Sequence, residues 1–424
     1  MPNRLIIGTD LSEGSPLGSL FLLPPVRIRN MEKINVCYFQ SGGPTSVINT
    51  SLYGALMAAK RHADSIGEFY GSIDGVEGLI EDRLLPFSTV SKETVDLLPQ
   101  TPGVFLGSSR RKLHEDQETW SKIKKTVQKH NISLILVNGG NDSMDTCSKL
   151  ASHLNVKVVG IPKTIDNDLA LTDHCPGFGS AAKHVINQVK LISIDAHSYS
   201  SGKVVIIEVM GREAGWLAAS ADLLPYPYHP DLIYLPEGEF SEEEFLAEVK
   251  ANHERKGTCV VVVSEGIPIH HETLALYDSF GHASPEGAAL ELGKLVNKKL
   301  GLGVRTVILS TPVRANPFLI SKTDSQEASA LGQAALEAGL EGRTGIMMAL
   351  ERVSSHPYQC RIKEVPVSEV ANENRLFPKE WILSPHSLSA EFHDYLEPLV
   401  QGHIDVKMDE DGCFLASSLY DCRK

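Results

Sequence analysis

Two carboxylates two residues apart, Asp166 and Asp168, follow Lys163 and Thr164 in the run from Pro162 to Asp168. In such a pair one group can take a proton from a substrate hydroxyl while the other orients the substrate or organises a metal. An isolated Asp-x-Asp also serves as a polar turn, so the pair gains meaning from its neighbours. Lys163 is one neighbour. Another is Gly139-Gly140-Asn141-Asp142-Ser143, where an apolar run from Leu134 breaks at two glycines and resumes as a helical pattern. A strand, a tight turn and a helix N-terminus present backbone N–H groups to an anion. Asn141, Asp142 and Ser143 serve equally well as helix caps. A second turn of the same kind, Gly42-Gly43, lies between an apolar run from Ile34 and a helical pattern through Ala58, with Thr45 or Ser46 as the expected N-cap.

Further polar residues follow apolar runs in the same way. Arg110, Arg111 and Lys112 are three successive cations in a glycine-containing loop. Met210-Gly211-Arg212-Glu213 and Glu265-Gly266 each follow a Val/Ile run, so a cation and an acid are delivered to strand ends. The plainer reading makes Arg212 a surface cation paired with Glu213, and Glu265 a solvated acid. Arg305 and Arg314 flank one expected strand, whose extended length at ~3.3 Å per residue approaches ~30 Å. They can serve one kind of site together only if one of them acts across a subunit interface.

The elements that must position these residues are legible as unbroken apolar runs near 34–39, 134–138, 157–161, 203–209, 231–235, 259–264, 305–310 and 344–350. Such runs are strands buried on both faces, and they alternate with helical stretches near 114–129, 178–200, 212–224, 241–255, 285–300 and 324–340. This order predicts an α/β protein with parallel, doubly wound sheets and ligands beyond the carboxyl ends of the strands. Residues 1–32 read as a leader of uncertain structure, and the C-terminal part as less regular. A chain of 424 residues is long enough for two or three domains.

Composition bounds the partners. Hydrophobic residues make up 42% and charged residues 22%, as in a globular protein. A net charge of −13 argues against nucleic acid or an anionic membrane as the main partner, yet allows phosphorylated substrates where Lys and Arg converge. Seven dispersed cysteines without metal-ligand spacing read as reduced thiols, and no apolar run reaches signal or spanning length, so a cytoplasmic location is expected.

Taken in chain order, Gly42-Gly43-Pro44, Gly107 to Arg110, Gly139 to Ser143, Pro162 to Asp168, Met210-Gly211-Arg212, Glu265-Gly266 and the Arg305…Arg314 pair resemble the phosphofructokinase family. Jointly they are far more specific than any one glycine turn. The resemblance implies two Rossmann-like parallel-sheet domains facing across a cleft. One comprises 33–176 plus about 313–365 and binds the phosphoryl donor; the other comprises 177–312 plus about 366–424 and binds the sugar phosphate. Asp142 stands where ATP-dependent members resemble a glycine, and Lys163 stands where they have another. By this resemblance the donor is pyrophosphate: a carboxylate at 142 adds bulk and charge where a nucleotide α-phosphate would lie, and Lys163 gives a cation to the smaller diphosphate.

The resemblance also implies roles. Asp166 would be the base that deprotonates the 1-hydroxyl of fructose 6-phosphate, with Lys163 and Arg212 assisting catalysis. Gly43, Arg110, Gly140, Asp142 and Ser143 would bind the donor and set its identity, with Mg²⁺ held at Asn141. Thr164, Asp168, Met210, Gly211, Glu265 and Arg314 would position the sugar phosphate, and Lys203 and Arg305 would reach a neighbouring subunit's site in a homodimer or homotetramer. Some positions depart from the family pattern: Asn141 replaces a metal-side aspartate, so that Asp142 or Asp145 becomes an alternative ligand. Lys203 replaces an arginine, Thr311 a histidine or tyrosine, and Thr45-Ser46-Val47 the usual Ala-Pro-Gly. An ATP-dependent enzyme and a non-catalytic regulatory subunit remain as alternatives. A dinucleotide-binding dehydrogenase is the weakest, because neither glycine pair continues as GxGxxG.

Overall fold

Most apolar runs of the sequence form strands whose side chains are covered on both faces; the run near 305–310 does not, because its strand, Val304–Ile308, lies at the edge of its sheet with Arg305 and Ile308 exposed. The computed structural model describes residues 33–198, 202–269, 287–371 and 373–419, with the backbone of short strands at 6–8, 276–277 and 283–284. Most of the expected leader lies outside the described residues. In chain order the strands are β1 (Ile6–Gly8), β2 (Ile34–Gln40), β3 (Ile66–Ser72), β4 (Leu84–Pro86), β5 (Ile132–Gly139), β6 (Lys157–Pro162), β7 (Val204–Val209) and β8 (Leu232–Tyr234). They continue with β9 (Cys259–Ser264), the two-residue strands β10 (Leu276–Tyr277) and β11 (Ala283–Ser284), β12 (Val304–Ile308), β13 (Ile346–Ser355) and β14 (Tyr358–Pro366).

Two sheets carry the architecture. The larger has the order β1-β14-β13-β6-β5-β2-β3-β4, and the smaller the order β12-β7-β9-β8. The smaller is parallel throughout. The larger is parallel at its centre, from β13 through β6, β5 and β2 to β3, and antiparallel at its edges. Helices cover the sheets, and among the described residues none is long and apolar enough to cross a membrane.

The returning C-terminal half is locked onto the first sheet by close helix packing. Helices Ile48–Arg61 and Lys322–Leu340 meet at two glycines. A Cβ at Gly54 would lie 2.0 Å from the Ser329 carbonyl oxygen, and one at Gly332 would lie 1.9 Å from that of Ser51. Only residues without a side chain let these backbones touch. From the same second helix, buried Asp324 accepts the backbone N–H groups of Gly177 and Ser180, each at 2.9 Å, and the Ser180 hydroxyl. It thereby caps helix Phe178–Ala196 from outside and holds Gly177, which bridges to Thr164 beside the carboxylate pair. Replacing Asp324 with Ala would strand three buried donors. We expect a loss of ~3 kcal/mol in unfolding free energy, seen as a lower denaturant midpoint with an unchanged slope.

Several local expectations need correction. Helix Ile48–Arg61 has Val47 at its N-cap and no side-chain cap, since Thr45 Oγ1 instead accepts the Val47 N–H at 3.3 Å. The helix expected over 212–224 shrinks to Trp216–Ala219 and a 3₁₀ turn Ser220–Leu223. Its first residues are drawn into a loop, where the Gly215 N–H is held by Glu237. The larger sheet is mixed rather than wholly parallel, because the C-terminal part is more regular than expected: β14 is nine residues long and pairs antiparallel with β13. Alternate residues Tyr358, Cys360 and Ile362 are buried, a period-two signal present in the sequence.

Candidate active site

The carboxyl ends of β2, β5 and β6 meet because the three strands are neighbours in parallel register. Each ends in a loop that the next one braces. The Lys163 N–H donates to the Gly139 carbonyl at 3.0 Å, and the Ser41 N–H to that of Asn138 at 2.9 Å. Gly139 leaves room for Ser143, whose hydroxyl oxygen lies 2.1 Å from where a Cβ would stand. Gly140 is the N-cap of helix Asn141–His153, so the first turn of that helix faces the loops. The Ser108 hydroxyl donates to the Gly42 carbonyl at 2.7 Å, and that of Ser41 to the Ser109 carbonyl at 3.1 Å, which fixes the loop carrying Arg110.

Lys163 turns back onto the first glycine pair. Its Nζ donates to the Gly43 carbonyl at 2.7 Å and sits 3.1 Å from the place a Cβ on Gly42 would occupy. Gly42 also has φ +80°, a backbone conformation that favours glycine there. Arg314, in the 3₁₀ turn Thr311–Arg314 after β12, brings Nη1 to 3.4 Å from the corresponding position on Gly43. Two cations thus converge on one short backbone stretch.

From the smaller sheet, β7 ends in Met210-Gly211-Arg212 and β9 in Glu265. The Gly211 N–H donates to Glu265 Oε1 at 3.1 Å, and the Ser264 hydroxyl to the Gly211 carbonyl at 2.6 Å. Gly211 adopts φ +140°, which turns the chain so that Arg212 enters the cleft. Thr164 organises the carboxylate pair: its hydroxyl accepts the Asp166 N–H at 3.1 Å and hydrogen-bonds Asp168.

Together these loops line a cavity of ≈ 880 Å³. Gly43, Arg110, Gly140, Asn141, Asp142, Ser143, Lys163, Thr164, Asp166, Asp168, Met210, Arg212, Glu265 and Arg314 all border it. Gly211 stands just behind, in the turn that carries Arg212. Lys203 and Arg305 lie elsewhere, at the amino ends of β7 and β12, where Arg305 pairs with Asp195 at 2.9 Å. Asp145 pairs with Lys149 at 2.7 Å and is not among the residues that border the cavity. Asp142 pairs with Lys112, which also borders the cavity, at 3.0 Å. Glu213 and Asn374 also line the cavity. Glu213 is adjacent to Arg212, a positional hint; Asn374 carried no local signal.

Electrostatics in the cleft match acid–base work. Burial pushes the Asp166 carboxyl up to about 7, with the nearby Asp168 and Glu265 adding to it and Lys163 and Arg314 opposing. Asp168 is raised too, chiefly by burial. Burial lowers the Lys163 ammonium to about 8, with Arg314 and Arg110 adding and the two aspartates opposing. An acid and a cation poised near neutrality in one cleft are what proton abstraction and anion binding require.

Residues 35–339 match the phosphofructokinase family, and the chain belongs to that family. It is 36% identical over 391 residues to a pyrophosphate–fructose 6-phosphate 1-phosphotransferase of Halomonas elongata, covering 88% of this chain and 93% of that one. A sulfofructose kinase of Alkalicoccus urumqiensis is 34% identical, over 82% of this chain and 92% of the relative. Among solved structures, a pyrophosphate-dependent phosphofructokinase from Marinobacter aquaeolei superposes with a TM-score of 0.82 at 35% identity, covering 91% of this chain and 96% of the other.

Proposed function

We propose that the protein is a cytoplasmic phosphotransferase that moves phosphate reversibly from pyrophosphate to the 1-hydroxyl of fructose 6-phosphate, giving fructose 1,6-bisphosphate. The observation that carries this reading is Lys163, folded onto the Gly42-Gly43 turn beside Arg314, with the carboxylate of Asp142 in the first turn of the glycine-capped helix. That arrangement concentrates positive charge over a small volume and places negative charge where a longer donor would run. The donor half is 33–176 with 313–365, and the acceptor half is 177–312 with 366–424.

Phosphoryl transfer needs little covalent work from a protein; it needs position and charge. Asp166 takes the proton of the 1-hydroxyl, whose oxygen attacks the terminal phosphorus as the phosphate leaving group departs. Gly43, Arg110, Lys163 and Arg212 hold the transferring group, and Gly140 and Ser143 receive the diphosphate at the helix N-terminus. Thr164, Asp168, Met210, Gly211, Glu265 and Arg314 seat the sugar phosphate. Lys203 and Arg305, remote from the cleft of their own chain, serve a second subunit in a homodimer or homotetramer.

The donor set suits Mg²⁺. Hard oxygens, the Asn141 amide and the Asp142 carboxylate, border the cavity beside the phosphate-binding cations, and Mg²⁺ commonly takes one or two protein oxygens and completes its shell with phosphate and water. Asn141 and Asp142 would hold it, and when bound it neutralises charge on the donor.

The test is the initial rate with Mg²⁺ and fructose 6-phosphate, offering pyrophosphate or ATP at equal concentration, and sulfofructose as a second acceptor. Pyrophosphate is expected to exceed ATP by ~100-fold or more in kcat/KM. Turnover mainly with ATP would overturn the argument from Asp142 and Lys163. Turnover of sulfofructose above fructose 6-phosphate would reassign the acceptor, and silence with both donors would favour a regulatory subunit.

A further inference from the structure

Residues 373–377 lie past the matched family region and thread the cleft between the two sheets. Toward the first sheet, the Arg375 N–H donates to the Asp168 carbonyl at 2.8 Å and Asn374 forms an isolated bridge with Leu169. Toward the second, Trp216 Nε1 donates to the Arg375 carbonyl at 3.3 Å, and the Phe377 N–H to Glu237 Oε1 at 2.8 Å. Asn374 sits where the two sets of contacts meet. Its Oδ1 accepts Asn141 Nδ2 at 2.8 Å, while its Nδ2 donates to Glu213 Oε2. Asn141 also donates to the Glu373 carbonyl at 3.0 Å. One amide therefore links the first turn of the helix after Gly139-Gly140 to the residue following Arg212.

An amide is the group for this task because it carries an acceptor and a donor on one carbon. An aspartate would set a carboxylate against Glu213, and an alanine would end the connection. Both anchors border the cavity, Asn141 in the first turn of its helix and Glu213 in the loop after β7, so the bridge sets the distance between them. In-line transfer is sensitive to that distance, and a displacement of ~1 Å can cost ~100-fold in rate.

We propose that Asn374 is a positioning residue, which ties Asn141 at the donor side to Glu213 at the acceptor side and so couples the binding of the two substrates. The inference rests on the function proposed above and deepens it. With the bridge in place, a substrate that seats one loop also seats the other, and the coupling is reciprocal by linkage.

The experiment is an initial-rate surface in pyrophosphate and fructose 6-phosphate for the full chain and its variants Asn374→Ala, Asn374→Asp, Glu213→Gln and Asn374→Asp/Glu213→Gln. In Asn374→Ala we expect the factor by which each substrate lowers the apparent KM of the other to fall to about one, kcat/KM to drop ~10- to 100-fold, and Tm to stay within ~3 °C of wild type. Asn374→Asp should do no better. In Asn374→Asp/Glu213→Gln the donor and acceptor of the bond exchange sides, so the coupling should return, which a role in folding alone would not produce. Unchanged coupling in Asn374→Ala, or strictly additive losses in the double variant, would overturn the bridge while leaving the proposed function standing. Wild-type chain that fails to turn over with pyrophosphate would take down both.

Discussion

Asp166→Asn is expected to lower kcat by ~1000-fold in both directions of the reaction, with KM for fructose 6-phosphate within ~3-fold of wild type. Asparagine keeps the shape and the hydrogen bond from its own N–H to Thr164, but it cannot take a proton. What remains is the positioning and charge supplied by Lys163, Arg110 and Arg212, which is why the loss is not total. Stability should move the other way. The folded carboxyl keeps its proton to about 7, because burial, Asp168 and Glu265 oppose ionisation, whereas the unfolded chain releases it near the ordinary carboxylate range of ~4. The folded state therefore binds more protons between those values, and its stability falls as pH rises through that window. Removing the carboxyl removes the fall, so the variant should match wild type at pH 4 and exceed it at pH 8 in denaturant unfolding. A kcat within tenfold of wild type would show that Asp166 is not the base.

Lys163→Met should cost ~1000-fold in kcat/KM and reshape its pH profile. With Asp166 as the proposed base and Lys163 as the proposed cation, the wild-type kcat/KM is expected to rise through about pH 7 and fall above about pH 8. Methionine fills the buried space without a charge, and the alkaline limb should disappear. The acid limb should move to higher pH, because Lys163 is one of the two cations that hold the Asp166 carboxyl down. A profile with its alkaline limb intact would assign that limb to another group. The KM for pyrophosphate should rise more than that for fructose 6-phosphate, since Lys163 sits on the Gly42-Gly43 turn.

Much of the cleft is legible in the sequence. Buried parallel strands write themselves as Val/Ile runs, and the residue after such a run is at a carboxyl end, where these folds place their ligands. That logic brought Gly140, Lys163, Asp166, Arg212 and Glu265 forward, and all of them border one cavity. It also separated Arg305 from Arg314 correctly, since nine residues of extended chain cannot fold both into one place. Helix starts are less legible. Val47 takes the cap because Thr45 spends its hydroxyl on the turn itself, and the expected helix at 212 is unwound by a loop that Glu237 and Glu265 hold.

What the sequence by itself determined is the alternation of buried strands with helices, the loops that end them and the chemistry those loops carry, because each depends on residues close together in the chain. What only the tertiary structure decided is which groups face one another. Arg314 lies over Gly43, Asp324 caps a helix from outside, Asp142 leans to Lys112 and Asn374 joins Asn141 to Glu213. Those pairings follow from the order of strands in the two sheets and from the return of the chain through 346–377. Local periodicity records which face of an element is buried, and holds no information about which distant element covers it.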